Sequence, residues 1–119
     1  MQRKSTKNTR GPNAEEKRFH KWIKEECGRC AACLSRMPLI LHHCEGATFK
    51  HNKILVGHWF TIGLCEYCDD IVTRGSRKSF REKFGPQSEC WENQVFKYIS
   101  HKKEQPPEEV FNAIMDWGR

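Results

Sequence analysis

Two Cys-x-x-Cys pairs, Cys30/Cys33 and Cys65/Cys68, bracket an adjacent pair of histidines, His42 and His43. A two-residue spacing lets both sulfurs of a pair face one ion. The 31 residues between Cys33 and Cys65 are enough for a hairpin that returns the second knuckle to the first. The pattern predicts one tetrahedral zinc held by Cys30, Cys33, Cys65 and Cys68. Cys27 offers a competing pair, Cys27/Cys30. The pair Cys30/Cys33 is preferred because it leaves nine positions from the second sulfur to His42, the length of one turn and one strand. Cys27, Cys44 and Cys90 read as small buried apolar residues.

A metal staple suits the rest of the composition. With 119 residues, 37% of them hydrophobic and 30% charged, the chain suits one domain with a modest core. Seven cysteines is an odd count, and residues 1–13 hold no apolar stretch that could act as a secretory signal. A disulfide framework is therefore not expected, and reduced thiols in a cytoplasm are. Apolar runs such as residues 37–41 are far shorter than the ~20 residues needed to span a bilayer, so no membrane association is expected.

The element pattern is α+β. Residues 1–12 read as a basic disordered tail and 13–119 as the single domain. Asn13 with Glu16 three positions later resembles a capping box, and Phe19, Trp22 and Ile23 recur at helical spacing to about Glu26. After the first knuckle and the Arg36-Met37-Pro38 turn, Leu39-Ile40-Leu41 predicts a short strand with His42 and His43 at its end and Gly46 closing it. Polar residues to Lys53 predict a loop, and residues 54–62 a second β-rich stretch leading into the second knuckle. Beyond it the pattern predicts a short helix to about Val72 and further helices over 76–84, 87–103 and 108–117, punctuated by Gly75, Gly85-Pro86 and Pro106-Pro107. Trp22, Phe80, Phe84, Trp91 and Phe96 read as core.

Adjacent histidines at a strand end are hard to explain by packing, because successive strand residues point to opposite faces. Chemistry has a use for both. One can hold a divalent ion beside a phosphate while its neighbour, kept neutral, takes a proton from water. Formal net charge is +6, and its distribution adds to this. Arg3, Lys4, Lys7 and Arg10 crowd the start, and residues 74–84 carry five cations against Glu82, whereas the stretch from Glu104 onward is acidic. Such basic zones attract phosphate backbones. Arg74, Arg77 and Lys78 are the expected phosphate-gripping residues.

The residues 11–18 (Gly11-Pro12-Asn13-Ala14-Glu15-Glu16-Lys17-Arg18), with Cys30-Ala-Ala-Cys33, His42-His43-x-x-Gly46, Leu64-Cys65-Glu-Tyr-Cys68, Gly75 with Ser79-Phe80, and Phe84-Gly85-Pro86-Gln87, resemble the phage recombination-enhancement (Ref) nuclease family of the HNH group. The likeness spans roughly residues 11 to 100. It implies a zinc-stapled ββα-metal core with extra terminal helices, and a metal-dependent DNA endonuclease encoded by a phage or prophage, working in the host cytoplasm and linked to recombination. It further implies His43 as general base and His42 as a ligand of a catalytic Mg2+ or Mn2+. DNA is the implied partner, with the host RecA filament as a second candidate. Two departures stand out. Asp69, rather than His or Asn, follows the second knuckle and is taken as the other catalytic-metal ligand, and the mid-motif asparagine has no counterpart unless His58 substitutes. These departures motivate the alternative of an inactive zinc-ribbon-like DNA-binding or protein-interaction module.

Overall fold

The structure, a computed structural model, describes residues 11–45 and 49–118, without the side chain of Arg77. The basic tail lies almost wholly outside the described residues, as does Gly46.

The first helix, α1 (Ala14–Trp22), begins where the sequence sets a capping box. Asn13 Oδ1 accepts from the Glu16 backbone at 2.8 Å and Glu16 Oε1 accepts from the Asn13 backbone at 2.9 Å. The helix continues as one wider π-type turn over Ile23–Cys27 and stops at Gly28, whose φ of 80° only glycine adopts readily. Strand β1 (Ile40–His43) then pairs antiparallel with β4 (Thr61–Leu64), Ile40 opposite Leu64 and His43 opposite Thr61. The histidines are thus the last two rungs of the ladder rather than residues beyond it.

Between these strands the chain departs from expectation. The predicted loop contains a second, tiny hairpin of β2 (Lys50–His51) and β3 (Ile54–Leu55). Its turn residues Asn52 and Lys53 both have positive φ, 53° and 68°, the backbone of a type I′ turn that matches the strand twist. The β-rich stretch predicted over 54–62 is not one strand. It breaks into β3, a 3₁₀ turn over Gly57–Trp59 and then β4, which runs on to Leu64. Gly57 at φ 62° turns the chain there.

Helix α2 (Glu66–Asp70) follows β4 directly and widens into a π-type turn over Ile71–Gly75; α3 (Arg77–Phe84) is capped by Ser76, whose hydroxyl accepts from Ser79. Two longer helices finish the domain, α4 (Gln87–Lys102) and α5 (Glu108–Trp117), at the predicted boundaries to within a residue. Among the described residues no helix is long and apolar enough to cross a membrane.

The core forms where α1 and α4 cover the β1/β4 ribbon. Phe19, Trp22, Ile23, Ile62, Leu64, Trp91 and Val95 are almost completely buried, with Tyr98 tilted against both Phe19 and Trp22. Phe96 does not join them: it is 53% exposed, lying on the outer face of α4 against Phe111. One polar residue ties this core to the ribbon. Gln94, buried on α4, accepts from Gly63 N–H at 2.9 Å and donates to Gly63 C=O at 3.2 Å. Gly63 allows this approach, since a Cβ there would meet Ile23 Cγ2 at 2.4 Å.

Candidate metal centre and histidine site

The first knuckle is shaped by its own backbone. Cys30 N–H donates to Ser35 C=O at 2.9 Å, Leu34 N–H to Cys30 C=O at 3.0 Å, and Leu34 takes a left-handed φ of 65° to close the turn. Ala31 N–H donates to Gly63 C=O at 2.8 Å, so the knuckle is stitched to β4. The second knuckle is the start of α2: Cys65 is its extended N-cap residue and Cys68 lies in its first turn. A strand that ends in Cys65 and a loop pinned to that strand bring four sulfurs together. The ligand atoms of Cys30, Cys33, Cys65 and Cys68 all lie within 4.8 Å of one another.

That arrangement fits a tetrahedral metal such as zinc. Sulfurs at ~2.3 Å from zinc stand about 3.8 Å apart along each edge of a tetrahedron, and Cys33 Sγ and Cys65 Sγ are 3.7 Å apart. The four sulfurs do not share one acidity. Burial pushes the Cys30 and Cys68 thiols up, while the Ser35 hydroxyl, 3.2 Å from Cys33 Sγ, is the main cause of a Cys33 value lowered to about 6. Several adjoining buried thiolates repel one another unless a dication lies between them. Cys27 stays out of the cluster: its sulfur sits near Arg29 C=O and Gln94 Nε2, and like Cys44 and Cys90 it is buried. The pairing Cys30/Cys33 is therefore the one the fold uses.

Where β1 ends, the two histidines diverge as strand geometry requires. His42 turns toward α2, with Nδ1 3.5 Å from Asp69 Oδ1, both side chains mostly covered. Asp69 is placed there by the helix that Cys65 starts, its N–H bonded to Cys65 C=O at 2.9 Å. His43 turns the other way, into a group of imidazoles. Its ring meets His58 at 5.5 Å and His20 at 5.7 Å, each nearly edge to face. His43 keeps an exposed edge, yet partial desolvation against its neighbours holds it below the usual imidazole range, and the facing His20, His58 and His42 add to the effect.

His20 is the residue that sequence reasoning missed. It falls on α1 one position from Phe19, where a single histidine in a polar helix carries no signal, yet it is buried and donates from Nε2 to His58 C=O at 2.9 Å. Burial lowers its pKa. Glu16, itself buried, accepts from His58 N–H at 3.0 Å, so the capping residue of α1 also anchors the turn that carries His58. The sequence offers His58 only as a substitute for a missing asparagine, and the fold sets it beside His43.

The basic residues are more dispersed. Arg74 pairs with Asp70 at 2.9 Å on the surface of the turn after α2. Lys78, on α3, faces a separate hollow with Arg81. Arg77 begins α3, and its side chain is outside what the structure describes. No family model, curated protein or solved structure matches this chain.

Proposed function

We propose that this protein is a metal-dependent DNA endonuclease built on a ββα-metal core, as the likeness to the HNH group implies. The observation that carries the reading is His42 Nδ1 lying 3.5 Å from Asp69 Oδ1 beside a four-sulfur cluster, with His43 the next residue on the strand. Adjacent corners of an octahedral site with ~2.1 Å ligand distances are about 3 Å apart, so the imidazole and carboxylate need little adjustment to share Mg2+ or Mn2+. The Asp69 carboxylate is of the donor class that such hard ions favour.

In this reading the zinc and the catalytic ion divide the labour. The four thiolates hold β1, β4 and α2 together, so that a phosphodiester laid over the end of the narrow ribbon reaches both histidines. A divalent ion bound by His42 and Asp69 would supply positive charge to the scissile phosphate and the departing 3′ oxygen. His43, kept neutral by burial and by neighbouring imidazoles, accepts the proton of the attacking water. His20 and His58 orient that ring. Arg74, Arg77 and Lys78 contact phosphates without regard to sequence. Phage or prophage origin, a link to recombination and dependence on a RecA filament belong to the same proposal and rest on the motif likeness alone.

Supercoiled plasmid incubated with the protein and Mg2+ or Mn2+, with and without RecA filaments, tests the reading. Nicking is expected in metal, none in chelator, and none with His43→Ala although that variant still binds DNA. Undiminished nicking by His43→Ala removes His43 from the mechanism. DNA binding without nicking under any metal leaves the inactive binding module.

A further inference from the structure

A hollow of about 390 Å³ lies between α3, the start of α4 and the end of α5, lined among others by Lys78, Arg81, Gln87, Ser88 and Gly118. Its floor is the first turn of a 16-residue helix, α4, whose N-cap is Pro86. Proline offers no side-chain acceptor, and the first turn of any helix presents N–H groups without intrahelical partners. The N–H groups of Glu89 and Cys90 turn back to Pro86 C=O, and those of Gln87 and Ser88 have no backbone acceptor among the described residues.

The side chains here are left wanting a ligand in a way that the helix end alone does not explain. Ser88 is 2% exposed, and its hydroxyl has no hydrogen-bond partner among the described residues. It points across the floor at Gly118, where a Cβ would come within 2.0 Å of Ser88 Oγ. Gln87 Oε1 is likewise buried and unpartnered among the described residues. A half-turn of that amide exchanges Oε1 for Nε2 and presents N–H donors at the same place. Neither Lys78 nor Arg81 forms an ion pair among the described residues. Two cations, a buried hydroxyl and a buried amide therefore line one hollow at the start of a helix. Groups of these kinds donate to a tetrahedral oxyanion, and a helix N-terminus favours negative charge.

We propose that this hollow is a phosphate-binding site, taking either a phosphate of a nucleic-acid strand or free phosphate. It shares Lys78 with the phosphate contacts of the nuclease reading but requires neither the sulfur cluster's metal nor the hydrolytic role of His43, so its failure and the failure of that reading are distinguishable. Gly118 keeps it open.

Backbone amide spectra of the full 15N-labelled chain, titrated with inorganic phosphate against chloride at matched ionic strength, test the proposal. Saturable shifts are expected at Gln87 and Ser88, with the midpoint moved at least tenfold higher in the double variant Lys78→Gln/Arg81→Gln. Gly118→Val should abolish them with every charge retained, its spectrum elsewhere unchanged. Unmoved Gln87 and Ser88 amides, or shifts that persist in both variants, overturn the proposal. A short oligonucleotide with and without a 5′ phosphate then identifies the source. Preference for the phosphorylated strand assigns a terminal phosphate, and equal binding of both at these amides assigns a backbone phosphate. Response to inorganic phosphate and to neither strand assigns the free ion.

Discussion

The sulfur cluster and the histidine site share the α2 turn, where Cys68 and Asp69 are consecutive residues, yet they are built differently. Four sulfurs converge within 4.8 Å, pinned by hydrogen bonds from Cys30, Ala31 and Leu34. At the histidine end His42 and Asp69 approach each other, and His43 looks away from them. A closed set of four protein ligands holds a metal for structure, whereas an incomplete set leaves corners for water and substrate. In the proposed reading one ribbon and one helix therefore supply both kinds of site, and the closed one fixes the open one in place.

The largest effect should come from the closed site. Structural zinc commonly contributes on the order of 10 kcal/mol to small domains at neutral pH, comparable with the total stability of most chains this size. Chelator, or Cys68→Ala, is expected to abolish cooperative unfolding, followed by circular dichroism. Cys27→Ala, outside the cluster, should fold and retain one zinc by elemental analysis. Loss of zinc from Cys27→Ala would return the alternative pairing to consideration. Because burial raises the Cys30 and Cys68 thiols, the metal must displace protons from them, and affinity should fall as pH falls. Zinc release measured with a chromogenic chelator should therefore be faster at pH 5 than at pH 7.

The open site should give smaller effects on stability and larger ones on activity. His43→Ala should lower nicking by about 10²–10⁴-fold, the usual worth of a general base, with little change in melting. Asp69→Ala should act differently, raising the metal concentration at half-maximal rate. Asp69→Asn, which keeps one oxygen donor, should restore part of it. If both Asp69 variants cut like the parent at low metal, the pairing of His42 with Asp69 has no catalytic meaning.

An intermediate effect tests the coupling between the two ends. Gly63 carries the C=O that anchors the first knuckle and also receives the Gln94 amide. Gly63→Ala would press a methyl onto Ile23, and overpacking of this kind costs about 1–3 kcal/mol. A drop in denaturant midpoint with weaker zinc retention is expected. Unchanged zinc retention would separate the knuckle from the core.

Most of this was legible from spacing. The Cys-x-x-Cys pairs, the cap at Asn13, the turn at Gly85-Pro86 and the period of Trp91, Val95 and Tyr98 are local signals, and each falls on the element expected. What escaped were features decided by distant partners. The region 49–60 breaks at Gly57 because His58 N–H is taken by Glu16, 42 residues earlier, which no local pattern reveals. His20 looks like a solvated residue of a polar helix, and only the arrival of the turn carrying His58 buries it. Phe96 shares the helical period of its neighbours, but the outer face of α4 is left uncovered there. In the candidate site His42 and Asp69 could be named in advance, while the imidazole group around His43 depended on three elements meeting.

The smallest expected effect follows from that group. His20 is held below its ordinary pKa of about 6.5 mainly by burial. On acidification through that value the unfolded chain takes up a proton that the native state resists, so the unfolded state binds more protons and stability falls with falling pH. The contribution is present above the unfolded pKa and is lost as pH drops toward the lower native one. Urea midpoints at pH 7.5 and 5.5, on samples shown to retain zinc, should therefore decline with acid, and His20→Gln should decline less steeply. Glutamine can still donate to His58 C=O but cannot titrate, so the bond survives and only the pH slope changes. Equal slopes in the two proteins would mean that His20 takes up its proton alike in the folded and unfolded chain, and burial would then not keep the imidazole beside His43 neutral.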